Sequence, residues 1–140
     1  MRDDSLFYTC SLIEYIGRKK CLERAKVVGK IGKENLKRIY KYSDVLHCEP
    51  IEKISDEYIK LFGIRKGKFD NIKSCKYLVP GYWDIGDVYS RLISDVSNGD
   101  IIDTLIDVYN SKLSAEISDF NSAMFFQPRD YLKECYLNAN

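Results

Sequence analysis

Apolar side chains return every third or fourth position through most of this chain, and that spacing restricts it to helices packed on helices. The clearest case follows Pro50, where Ile51, Ile54, Tyr58, Leu61 and Phe62 share one side of a helix that Gly63 stops. The same spacing predicts a basic helix over 22–31 and an amphipathic helix over 34–46 that turns Leu36, Ile39, Tyr40 and Leu46 inward. After Trp83, Asp84 can cap a helix with Ile85, Val88, Tyr89, Leu92, Ile93 and Val96 on its apolar side. Asp100 caps what reads as the longest helix, in which Ile102 through Phe120 form one stripe over about five turns. A last short helix starts at Pro128.

The first helix, over 4–16, differs from the others. Leu6, Phe7, Cys10, Leu12, Ile13, Tyr15 and Ile16 cover most of its circumference, so it belongs at the centre of the structure, with Gly17 and the cations Arg18, Lys19 and Lys20 suited to its end. The 8 glycines and 3 prolines in 140 residues are too few to punctuate many short strands. Residues 64–82 alone lack a helical period; they carry Gly67, Asp70-Asn71 and Pro80-Gly81, which read as turns. The expectation is an all-α, compact single-domain bundle spanning 1–140, with about six or seven helices and an irregular crossover near 64–82.

No apolar stretch is long enough to span a bilayer, and no cleavable leader is evident, so a membrane is not expected as a partner. Five cysteines, at positions 10, 21, 48, 75 and 135, form no Cys-x-x-Cys pair, which fits a reducing, cytoplasmic setting. Cys10, Cys21 and Cys48 sit among apolar neighbours and are expected in the core.

Support for chemistry is thin. His47 is the only histidine, and its place at a helix end already suits it as a terminal cation. A cysteine-dependent enzyme assisted by His47 is the alternative reading, although Cys48, adjacent on the helix, would point about 100° away. No tight Cys/His pair offers a zinc site, so neither metal nor cofactor is expected. Asp103 and Asp107, and Asp84 and Asp87, are paired by helical spacing but read as solvated polar faces. No phosphate-binding glycine loop is present.

Charge is unevenly spread. Residues 1–76 carry 18 Lys/Arg against 11 Asp/Glu, and residues 77–140 carry 4 against 10, so the halves are +7 and −6. Such a chain can associate head to tail as a homo-oligomer or offer a charged face to a partner. The 11 tyrosines and 6 phenylalanines favour an interface, because each buries a rigid apolar body. Two aromatic clusters stand in irregular stretches: Tyr77, Tyr82 and Trp83 around Pro80-Gly81, and Phe120, Phe125 and Phe126 later in the chain.

These features point to a non-catalytic regulatory or adaptor protein that binds another macromolecule through Lys37, Arg38, Lys41, Tyr77, Tyr82 and Trp83. Its expected partner is a protein with an acidic or aromatic-accepting surface, and reversing Lys37, Arg38 and Lys41 should weaken capture. Nucleic-acid binding through the basic 18–41 region is the further alternative. The opening run Leu6–Arg18 is similar to the start of small bacterial proteins, a likeness confined to that run and implying no activity.

Overall fold

A computed structural model of the chain describes residues 2–139; Met1 and Asn140, the two ends of the expected 1–140 domain, lie outside the described residues. The helices are α1 (Asp4–Lys20), α2 (Arg24–Ile31), α3 (Lys33–Lys41), α4 (Ser43–Leu46), α5 (Ile51–Leu61), α6 (Tyr82–Val96), α7 (Ile101–Tyr109), α8 (Lys112–Ile117) and α9 (Arg129–Asn138). One 3-10 turn, Met124–Phe126, lies between α8 and α9. The all-α expectation holds, with nine helices among the described residues instead of six or seven.

Both additional helices come from breaks in segments whose apolar stripe reads as continuous. The segment 34–46 divides at Tyr42, where the Ser43 hydroxyl donates back to the Tyr40 carbonyl. The expected longest helix divides at Asn110-Ser111. There the Asn110 amide donates to the Ile106 carbonyl, while Ser111 Oγ donates to the Val108 carbonyl and accepts from the Ser114 N–H. Short polar side chains offer the backbone such local alternatives to a continuing helix. The longest helix is therefore α1.

Asp3 caps α1 by accepting from the Leu6 N–H, and α1 is buried along most of its length, as its all-round apolar pattern implies. It does not stop near Ile16. Gly17 continues the helix, and the end comes at Cys21, whose left-handed backbone (φ 51°) delivers the turn expected of the glycine. Gly17 serves a different purpose: the Arg24 side chain passes directly over it, and a methyl group there would lie 2.4 Å from Arg24 Cδ.

The most extensive helix pairing joins α1 to α6. The two approach most closely where Gly86 faces Ser11: a methyl on Gly86 would fall 2.9 Å from Ser11 Cα. Residues from α7, α8 and α9 complete the core, with Tyr89 and Tyr109 stacked at 4.2 Å between ring centres.

Between α5 and α6 runs the irregular crossover, close to its expected bounds. It is pinned to the helices at several points. Gly67 N–H donates to the Lys20 carbonyl and Phe69 N–H to the Cys21 carbonyl, which satisfies carbonyls at the C-terminal end of α1. At the other limit Tyr82 and Trp83 already belong to α6; the N-cap is Gly81, and Asp84 reaches back from the first turn to accept the Gly81 N–H at 3.0 Å. Among the described residues no helix is long and apolar enough to cross a membrane.

Candidate docking groove

A buried ionic network holds the crossover in place. Glu14, the charged interruption in the apolar run of α1, accepts from Arg24 Nε at 2.9 Å and Nη2 at 2.8 Å, and from Arg18 Nε at 2.8 Å. Glu14 and Arg24 are both buried. Arg24 also donates to the Leu22 carbonyl and to Asn71 of the crossover, whose own amide donates to the Ser118 carbonyl. Arg18 extends the network by donating to the Pro80 carbonyl at 2.8 Å. Burial alone would raise the Glu14 carboxyl, but the charges and hydrogen bonds of Arg24 and Arg18 outweigh it and hold the carboxyl below its ordinary range. Arg24, which falls within the basic 18–41 region, is thus withdrawn from solvent. Its position was legible: Arg24, Val27, Val28 and Ile31 follow the spacing of the inward face of α2.

The late loop is clipped to the crossover as well. Asn121 accepts the Lys76 N–H at 2.7 Å and donates to the Ser74 carbonyl at 3.0 Å. These bonds bring Phe125 and Phe126 of the late aromatic cluster against the aliphatic residues 78–80 of the crossover. Leu78, Val79, Pro80, Val88, Phe125 and Phe126, with Gly81 and Asp84 at one end, line an apolar groove of about 470 Å³. Leu78 is 93% exposed and Phe126 80%. Phe125 packs edge-on against the buried Phe120 and at 5.4 Å from Phe126, so the groove wall continues into the core.

The six residues expected to bind are divided by the fold. Tyr77, 70% exposed, adjoins the groove through Leu78. Tyr82 and Trp83 belong to a row of aromatic rings, Phe7–Trp83–Tyr82–Tyr15, with successive centres 5.4, 4.8 and 5.1 Å apart; Trp83 is 39% exposed. Lys37, Arg38 and Lys41 lie on α3, where Lys37 faces Glu34 and Lys41 sits over the Tyr42 ring, and no hydrogen bond or ring contact joins them to the three aromatics. Sequence reasoning missed Leu78, the most exposed large apolar residue, because it stands in a stretch without any period.

His47 is exposed at the end of α4, and among the described residues no hydrogen bond joins it to a thiol. Cys48, expected in the core, is exposed and donates to the Asp44 carbonyl, since α4 ends before it and leaves it on the surface turn. Cys10 and Cys21 are buried as expected, and burial pushes the Cys10 thiol up to about 12. Asp103 pairs with Lys33 at 2.7 Å, and Asp87 with Arg91 at 2.9 Å. Among the described residues no group of three His, Cys, Asp or Glu side chains could hold a metal ion.

Comparison of the chain with models of known families, with curated proteins and with solved structures finds no match in any of the three.

Proposed function

We propose that this chain is a non-catalytic binding module that receives an apolar, positively flanked segment of another protein in the Leu78–Phe126 groove. One observation carries the reading: Asn121 clips the late loop that carries Phe125 and Phe126 to the crossover that carries Leu78, Val79 and Pro80, and in the groove they form Leu78 and Phe126 stand in water. Burying a side chain of that size contributes roughly 1.5–3 kcal/mol, so the groove holds a binding free energy that the isolated chain does not use. Contiguous apolar surface of this kind is characteristic of interaction sites. The groove's charged lining residue is Asp84, and residues 77–140 carry −6, which favours a partner with Lys or Arg beside its apolar anchor. The aromatic row through Trp83 adjoins it at α6 and offers further anchors. All five cysteines are unpaired, which supports a place in the cytoplasm.

A random-peptide display library selected on the full chain and counter-selected on a Leu78→Asp/Phe126→Asp variant tests the reading. Supporting peptides carry an aliphatic or aromatic anchor next to Lys or Arg and bind the variant at least about tenfold more weakly, a loss of ~1.4 kcal/mol. Peptides that bind both proteins equally, or a selection that enriches none, overturn it.

A further inference from the structure

The basic residues of the chain do not form one surface along 18–41. Arg24 is buried, Arg18 is committed to Glu14, Lys19 to Asp56, Lys33 to Asp103, and Lys37 faces Glu34. A different set converges. The two main-chain hydrogen bonds from Gly67 and Phe69 to Lys20 and Cys21 lay the tract Arg65-Lys66-Gly67-Lys68 against the basic end of α1. The approach is tight: a methyl on Gly67 would lie 2.7 Å from the Cys21 carbonyl oxygen, so no larger residue allows this seating. Lys26 and Lys68 line one hollow beside Gly67, which bonds the Lys20 carbonyl, and the exposed Arg65 and Lys66 lead directly into that tract; none of the five forms an ion pair with a described residue. Only Glu23 and Asp70 stand close to them in sequence with the opposite charge.

The surface is also concave and carries an aromatic ring. Lys26, Lys68, Phe69 and Leu22 line a hollow of about 290 Å³. Phe69 and Glu23 are shared with a second hollow of about 360 Å³, whose other side is Asn110, Ser111 and Lys112. Phe69 is half-buried, with the Arg24 guanidinium 5.9 Å from its ring centre. A half-exposed ring between two hollows, with free cations on either side, has the components that let a protein hold an unpaired nucleic-acid strand: ammonium groups for phosphates and a π-face for a base. An acidic peptide would use the cations and leave the ring idle.

We propose that this edge, Lys20, Lys26, Arg65, Lys66 and Lys68 around Phe69, binds single-stranded nucleic acid without reading its sequence. It stands on observations separate from the apolar groove and does not depend on it. The test is fluorescence anisotropy of labelled oligouridine and oligothymidine of about ten nucleotides, within the usual span of a single-strand site. Affinity falls with added salt, with a log–log slope of about −0.7 for each phosphate neutralised. Lys66→Glu/Lys68→Glu weakens binding at least about tenfold and flattens that slope. Phe69→Leu weakens it several-fold and leaves the slope unchanged, while Lys37→Glu/Arg38→Glu on α3 changes neither. Variants are compared only where circular dichroism matches the parent chain. No anisotropy change with either strand at low salt, an unaltered slope in the Lys66/Lys68 variant, or equal binding of polyglutamate of the same length overturns the proposal.

Discussion

The side chain of Arg24 crosses the bare Cα of Gly17 on its way to Glu14, so one glycine in α1 makes room for a cation of α2 to enter the core. Gly17→Ala would place a methyl within 2.4–2.8 Å of three Arg24 side-chain atoms. The variant is expected to lose several kcal/mol, roughly the 3–5 kcal/mol of a broken buried pair, because the guanidinium cannot keep its place. Gly29 supplies the control: it is in α2 with no heavy atom within 4 Å of an added methyl, and Gly29→Ala should gain up to about 1 kcal/mol from helix propensity. Urea unfolding followed by circular dichroism checks both signs.

The ion pair itself carries a pH signature. Glu14 is held below its unfolded carboxyl value, so its pairing contributes in full above the unfolded range near pH ~4.3 and is lost as pH falls through the lowered folded value. Glu14→Gln removes that acid-side loss while leaving Arg24 without a buried counter-charge. Urea midpoints measured down the acid range should therefore fall less steeply for the variant, from a lower value at neutral pH.

Gly86 and Ser11 set how closely α6 approaches α1. Gly86→Ala puts a methyl 2.9 Å from Ser11 backbone atoms, and the helices must separate. A cost of about 1–3 kcal/mol is expected from overpacking, visible as a lower melting temperature with unchanged helical content.

Asn121 is expected to matter for the groove more than for the fold. Asn121→Ala removes two of the hydrogen bonds that join the late loop to the crossover, each worth about 0.5–1.5 kcal/mol. Hydrogen exchange should speed up around Ser74–Val79 and Met124–Phe126 while α1 and α6 keep their protection. Equal acceleration throughout would mean that Asn121 supports the whole fold.

Helical periodicity was enough to place α1, α5 and α6 and to put α1 at the centre, because burial of an apolar face is what the period records. It passed over the breaks at Tyr42 and Asn110-Ser111, where the apolar stripe continues but side-chain hydrogen bonds redirect the backbone. Arg24 could have been found, since it occupies an inward position and Glu14 interrupts a buried run. The groove could not. Phe125 and Phe126 stand out in the sequence and Leu78 does not, and their meeting depends on Asn121 and Asn71 binding carbonyls and an N–H across the fold, which no local spacing encodes.

The most direct test of the binding reading is differential capture from the native lysate, with three baits of matched circular dichroism: the parent chain, Leu78→Asp/Phe126→Asp, and Lys37→Glu/Arg38→Glu/Lys41→Glu. Docking in the groove predicts a protein retained by the first and third baits and lost from the second. A protein that stays on the second and leaves the third would contradict it, and would return the interface to the cations of α3.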